Sequence, residues 1–442
     1  MLLSFRFTNH RSFRDENQLN LTPVYGDSGE PGGGGVSAVL VAGIFGANAS
    51  GKSNCLDALG FMRRMAVQSD RAVEPGLGLA REPFRLAAES LEGPSRYVVD
   101  LLIAGVRHTY GFTIDDQRVL DEWLYHYPVG RRRRVFEREG DTFTWGEESG
   151  RQPELEQISR ITAPTALFLS TVARFGHGHA QPDPADPQPL HDTYRWFYRI
   201  TRHLGPDAWA GAHPARLEAM RPVIVDLLRA ADIGIVDMRI PPDPAGDSDL
   251  EELRATQAAG GMRGRIRAAG ERALTRRARP QFAHRGTDGD VFFDFEDEST
   301  GTRQLLSLGL QATAILQSGG TMLIDEIDSS LHPILTAKLI SMFRSSTANP
   351  LRSQLLFTSH DAALLGTVDA EEVLHRDEIW FTAKDDQGCS SLYPLTDFKP
   401  RKEGENRQRR YLNGNYGAVP DLSTPLFEQA LAIRGRGETG RS

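Results

Sequence analysis

Between an apolar run, Val39 to Phe45, and a helix-forming run that begins at Asn54, the chain carries Gly46-Ala47-Asn48-Ala49-Ser50-Gly51-Lys52-Ser53. A G-x-x-x-x-G-K-S loop in this setting confines the chain to α/β architectures in which a buried strand hands the backbone to a helix N-terminus. Chemistry accounts for each fixed position. The glycines let the backbone curl so that its N–H groups face an anion, the Lys52 ammonium reaches toward β- and γ-phosphates, and the Ser53 hydroxyl is a ligand for Mg²⁺. The stretch Gly46 to Asn54 therefore predicts a bound nucleoside triphosphate with Mg²⁺.

At 442 residues the chain has room for two to three units on the soft rule of roughly 150 residues each. Hydrophobic content of 39% and charged content of 25% are ordinary for a water-exposed protein. No run approaches the roughly 18 apolar residues of a membrane span. The first residues, Met1-Leu2-Leu3-Ser4-Phe5-Arg6, show no signal-peptide pattern, so a cytoplasmic location and no membrane partner are expected. Two cysteines, Cys55 and Cys389, fit a reducing compartment and predict no Cys/His metal site. A net charge of −8 argues against a uniformly basic nucleic-acid coat and leaves local basic patches open.

Along the chain, residues 2–8 and 18–22 read as short strands. Residues 96–145 alternate in the strand manner, with segments 97–103, 108–114, 119–127, 133–138 and 142–145, and predict an antiparallel meander. Residues 151–235 turn helical, interrupted by a proline-rich loop from Gly176 to Pro189. A polar linker follows at Pro241 to Asp249, then an arginine-rich, glycine-dotted stretch from Leu250 to Pro280 that reads as an insertion. Strand character returns at Val291 to Phe295. The expected division is an N-terminal lobe with the phosphate loop and meander (1–150), a helical insertion with linkers (151–285), a C-terminal lobe (286–397) and a tail (398–442).

Thr321-Met322-Leu323-Ile324-Asp325-Glu326 is an apolar strand ending in two acids. A carboxylate there can hold the Mg²⁺ shell and its neighbour can orient a water for in-line attack at a γ-phosphate, which assigns Asp325 to the metal and Glu326 to the water. A helix-capping pair would fit the same residues locally but would leave the phosphate loop without an acidic partner. A further buried strand, Gln354 to Ser359, ends in His360, which can reach a γ-phosphate. Asp325 lies 273 residues after Lys52, too far for a compact ring-forming ATPase domain.

Weaker signals are Arg131 to Arg134 between two strands, the cluster Arg263, Arg265, Arg267, Arg272, Arg276, Arg277 and Arg279, and His177 with His179. The first reads as a solvated hairpin, the second could meet nucleic acid or an acidic partner, and the histidine pair lacks a third ligand. Without neighbouring aromatics, base readout is not indicated. Arg11 is a candidate to approach the nucleotide.

Asn9 to Phe13, the phosphate loop, Glu298-Ser299-Thr300-Gly301-Thr302, Leu323 to Pro333 and Phe357 to Asp361 together resemble the RecF/SMC-like branch of ABC ATPases. More narrowly, with Pro83 to Leu86, Asp121 to Tyr125, Ala166 to Ser170 and Arg410 to Pro420, they are similar to the stand-alone AAA-family ATPases of prokaryotic defence loci, the RloA/AbiLi type, related to the ATPase part of OLD proteins. The resemblance covers most of the chain outside residues 176–190 and 241–280. It implies an α/β ABC-type head with a mixed sheet, an antiparallel β portion and a mostly helical insertion, and ATP with Mg²⁺ as cofactors. It also implies a homodimer or higher oligomer, in which Ser299, Gly301 and Thr302 of one copy meet the γ-phosphate held by Lys52, Ser53, Asp325, Glu326 and His360 of the other. Ile327 to Pro333 occupies the D-loop position and His360 that of the switch histidine; no Q-loop glutamine is placed.

The same resemblance implies regulation of a nuclease-like effector encoded nearby, in antiphage defence by abortive infection. The alternatives are a RecF-like DNA-repair clamp, with nucleic acid as partner, and a nuclease acting alone. Two departures weigh on these. Ser299-Thr300-Gly301-Thr302 is not the transporter signature, and the stretch after His360 lacks a convincing Glu…Asp-x-Asp nuclease set.

Overall fold

The computed structural model describes residues 1–25, 37–72, 78–176, 188–203, 205, 214–231, 234–241, 280–368, 370–401 and 405–419. His177, His179, the arginine cluster of 263–279 and the tail beyond 419 lie outside these residues.

In chain order the elements are β1 (Leu2–Thr8), β2 (Asn17–Asn20), β3 (Val41–Gly46), α1 (Lys52–Ala72), α2 (Ala88–Glu92), β4 (Ser95–Ile103), β5 (Val106–Ile114), β6 (Val119–Tyr127), β7 (Arg133–Glu139) and β8 (Thr142–Trp145). Next come α3 (Pro153–Ile161), α4 (Phe168–Phe175), α5 (Pro189–Tyr198), β9 (Ile200–Arg202), α6 (Pro214–Ala230), β10 (Ile235–Arg239), β11 (Gln281–Gly286) and β12 (Gly289–Asp294). The rest comprises α7 (Thr300–Ser318), β13 (Thr321–Ile324), α8 (Pro333–Arg344), β14 (Gln354–Ser359), β15 (Thr367–Val368), β16 (Glu371–Glu372), β17 (Ile379–Lys384), β18 (Ser390–Pro394) and α9 (Arg407–Leu412).

Two large sheets organise these pieces. The meander β4 to β8 is continued by β1 and β2 into an antiparallel sheet of order β2-β1-β4-β5-β6-β7-β8. The second sheet is mixed, of order β18-β17-β3-β14-β13-β9, parallel from β17 to β9 with β18 antiparallel at one edge. Its strands are almost continuously apolar because helices or sheet cover both faces. Ala42, Ile44, Leu323 and Leu356 point into a core shared with α1 and the antiparallel sheet. Their alternates Val41, Phe45, Met322, Ile324 and Phe357 point into a second core built with α7 and α8. Helix α1 presents Cys55, Leu56, Leu59, Met62 and Ala66 at helical spacing to the first core. A smaller core joins α6, β10 and β11 to Leu306 and Leu310 of α7.

One buried amide ties the two large sheets together. Gln354 at the start of β14 accepts from Leu2 N at 2.5 Å through Oε1, and its Nε2 donates to Leu2 O at 2.9 Å and Val39 O at 3.1 Å.

The mixed α/β class expected from the sequence is present, with its antiparallel portion and helices. Some boundaries differ. The strand expected over 18–22 spans Asn17–Asn20, and the one expected over 291–295 ends at Asp294 because Phe295 opens a 3-10 turn. The stretch expected to be helical over 151–235 is broken by β9 (Ile200–Arg202), and β10 and β11 are further strands inside the insertion expected to be mostly helical. β9 is three residues long and is a strand because it pairs in parallel with β13, Thr321 facing Ile200 and Leu323 facing Arg202.

Candidate active site

Register places the chemistry. β3, β14 and β13 are parallel neighbours, with Ile44 opposite Thr358, Phe45 opposite Ser359 and Ile324 opposite Phe357. The residues that follow, Gly46 onward, His360 and Asp325, therefore leave the sheet side by side at the carboxyl ends of the strands, where open α/β sheets bind ligands.

The phosphate loop is shaped by backbone that other residues resist. Gly51 has φ of 108°, and a Cβ there would lie 2.5 Å from Ser390 Oγ and 2.9 Å from Ser12 Oγ. A Cβ on Gly46 would come within 2.5 Å of Thr382 O. Ala49 also sits in the left-handed region, at φ of 62°. Ala47 is half-buried, while Asn48 and Ala49 are exposed at the tip. Around the loop, Ser50 Oγ and Thr382 Oγ1 share a hydrogen bond of 2.7 Å, and Asn54 Nδ2 donates to Ser12 Oγ, which also accepts from Ser390 Oγ at 2.8 Å. The cradle is thus backed by β17, β18 and the turn after β1.

Lys52 Nζ donates to Gly46 O at 2.8 Å and Ala47 O at 2.9 Å. Burial lowers the pKa of its ammonium, against the raising pull of Glu326, Asp325 and Asp328. Ser53 Oγ donates to Asp325 Oδ1 at 2.9 Å, joining the two residues that could hold a divalent cation. A hydroxyl and a carboxylate oxygen are the hard donors Mg²⁺ takes.

Thr358 ties the two acids together. Its Oγ1 donates to Asp325 Oδ1 at 2.6 Å and accepts from Glu326 N at 2.8 Å, while its carbonyl accepts from Ile327 N at 3.0 Å. Glu326 has φ of 53°, a left-handed conformation that a non-glycine residue holds only when its surroundings enforce it. The Glu326 side chain is 53% exposed, and His360 Nε2 lies 3.3 Å from its Oε1. His360 N in turn donates to Asp328 Oδ1 at 3.3 Å.

The fold therefore gathers Lys52, Ser53, Asp325, Glu326 and His360 into one cluster. Ser299, Gly301 and Thr302 sit elsewhere. Ser299 caps α7, its Oγ accepting from Thr302 N at 3.1 Å, and is exposed together with Thr300. A Cβ on Gly301 would lie 2.8 Å from Ser330 O, so the turn packs on the loop that follows the acidic strand. No hydrogen bond joins Ser299, Gly301 or Thr302 to the phosphate loop among the described residues.

Arg11 is engaged away from the loop tip. Its Nε lies 3.1 Å from Asp57 Oδ2 and it donates to Glu82 Oε1 at 2.9 Å. Burial opposes a charge on Asp57, yet His10, Arg11 and Arg202 overcome it and hold the carboxyl well below the usual range. This links the base of α1 to β9. Arg133 and Arg134 pair with Glu148 and Glu137 on the surface, as a solvated hairpin does. Sequence reasoning did not single out Thr358, Thr382 or Ser390. A β-branched hydroxyl in an otherwise apolar strand, as in Phe357-Thr358, was the available signal for the first.

The family model described as "AAA domain, putative AbiEii toxin, Type IV TA system" matches residues 41–366. No curated protein matches the chain. Among solved structures, an Smc head bound to the C-winged helix domain of ScpA is similar at 14% identity and a TM-score of 0.40, over 90% of this chain and 99% of that one. An Smc head domain with an extended coiled coil, bound to the C-terminal domain of ScpA derived from Pyrococcus furiosus, is similar at 13% identity and a TM-score of 0.40, over 90% and 97%.

Proposed function

The chain belongs to that AAA-domain family, and from this membership we propose that it binds ATP with Mg²⁺ and hydrolyses it as an ABC-type head. The observation that carries the proposal is the convergence at the strand ends: Ser53 Oγ on Asp325 at 2.9 Å, with Glu326 beside it and His360 at 3.3 Å. A structural helix cap would need no such assembly from three separate strands.

In this reading the phosphate loop N–H groups receive the phosphates, and Lys52 exchanges its two loop carbonyls for phosphate oxygens. Ser53 and Asp325 hold Mg²⁺, which when bound neutralises charge on the β- and γ-phosphates. Glu326 accepts a hydrogen bond from the attacking water and orients it in line, and His360 steadies the Glu326 carboxylate. Thr358 is a positioning residue, since it touches both acids through one hydroxyl and fixes the angle between them.

Completion of the site requires a second copy. The exposed Ser299 cap, with Gly301 and Thr302 behind it, supplies helix-N-terminal donors to a γ-phosphate held by the partner, and hydrolysis then opens the pair. Such an opening is suited to regulating an effector protein, in keeping with abortive-infection defence. The experiment is ATP turnover by purified Glu326→Gln. Hydrolysis falls at least 100-fold while ATP binding persists; wild-type turnover in this variant would remove Glu326 from the mechanism.

A further inference from the structure

Gly319 and Gly320 lead into β13, and beside them a cavity of about 530 Å³ opens at the amino ends of the parallel strands, the opposite edge of the sheet from the phosphate loop. Its size lies in the range of about 300–1,000 Å³ common to small-molecule pockets. Asp192, Arg195, Trp196 and Arg199 line it from α5 and the residue after it. Spaced at i, i+3, i+4 and i+7, they form one stripe of the helix, which brings the two guanidinium groups to the same wall. Arg352 adds a third from the facing loop.

The two guanidinium groups outnumber the one carboxylate, Asp192, in this wall, and Asp192 faces His191 Nδ1 at 3.9 Å. Arg195 bonds to His191 Nε2 at 3.4 Å, and among the described residues neither Arg195 nor Arg199 has a carboxylate partner. Beside the arginines the lining is apolar. Leu351 is 54% exposed, and Trp196 is 7% exposed with its indole nitrogen lacking a hydrogen-bond partner among the described residues. An arginine pair takes a phosphate through several charge-assisted bonds, and the adjacent ring and leucine would cover an apolar or aromatic group.

We propose that this cavity binds a small organic phosphate, with the phosphate on Arg195 and Arg199 and its apolar or aromatic moiety against Leu351 and Trp196. The site is wired to the strand that ends in Asp325. Thr321 N donates to Arg199 O at 3.3 Å, Ile200 pairs with Thr321, and Arg202 donates to Asp57 of α1 at 2.9 Å. A ligand seated on Arg199 would therefore lie one residue from β9 and one backbone hydrogen bond from β13. The proposal does not depend on the ATPase reading.

The test uses full-length Lys52→Ala protein, in which the phosphate loop is silenced, titrated with AMP and, in parallel, with inorganic phosphate by calorimetry. AMP is expected to bind at least tenfold tighter than inorganic phosphate, and Arg195→Ala with Arg199→Ala to weaken AMP at least tenfold. Leu351→Glu, a change at a half-exposed position that the fold tolerates, is expected to weaken AMP likewise. No AMP binding, equal affinity for AMP and inorganic phosphate, or AMP affinity untouched by the arginine and leucine substitutions would each overturn the proposal.

Discussion

Thr358 shows how much of the proposed chemistry depends on one hydroxyl. Its hydroxyl donates a hydrogen bond to Asp325 and accepts one from the backbone N–H of Glu326, a residue held at a left-handed φ. Thr358→Val keeps the shape and removes both bonds. ATP turnover is expected to drop by about 10–100-fold, and stability by about 1–3 kcal/mol from the unpaired partners; turnover equal to wild type would show that the acids hold their own geometry. A second buried group predicts a pH effect. Burial pushes the Glu378 carboxyl up to about 7, against the attraction of Arg344 and a hydrogen bond from His375 N. Below its unfolded value near 4.5 both states carry the proton. Between that value and about 7 the folded chain binds it more tightly, so stability falls as pH rises across the window, by roughly 3 kcal/mol in all. Glu378→Gln is expected to raise the melting temperature at pH 8, and to flatten the pH dependence between pH 5 and 8 in thermal melts.

At the scale of elements, α7 is the piece that would join the candidate site to the proposed partner face. It starts at the Ser299 cap, and its first turn lies so close to the loop after the acidic strand that a methyl on Gly301 would meet Ser330 O at 2.8 Å. Gly301→Ala is expected to cost about 1–3 kcal/mol in denaturant unfolding as the two segments are forced apart; an unchanged midpoint would mean the loop yields freely. Much of this level was legible in the residues. The meander announced itself through period-two alternation, and the phosphate loop through glycines whose conformations only they tolerate. The acidic strand was legible because Thr321 and three apolar residues followed by two acids fit few other places. β9 was not, because three residues cannot carry a periodic signal and Ile200–Arg202 become a strand only through β13. The Asp57 network was equally silent, since the neighbours His10 and Arg11 meet that carboxylate from one distant stretch of chain and Arg202 from another.

For the molecule as a whole, the proposed two-copy arrangement makes a prediction that no single subunit could satisfy. Lys52→Ala protein lacks a working phosphate loop, and Ser299→Arg protein lacks a working cap. In a mixed pair one of the two composite pockets would combine an intact loop with an intact cap. Mixing the two inactive variants is therefore expected to recover measurable ATP turnover, up to about a quarter of the wild-type rate for random pairing of independent sites. Recovery no greater than the sum of the separate variants would mean that each chain works alone.

Gln354 gives the molecule its mechanical character. Because that side chain clasps the first strand and the run before the phosphate loop at the root of the strand that bears Thr358 and leads to His360, it joins the seven-stranded sheet to the strands of the candidate site. A push on that sheet would therefore reach the strand that leads to the histidine through this amide, with the Ser12–Ser390 pair as a second joint.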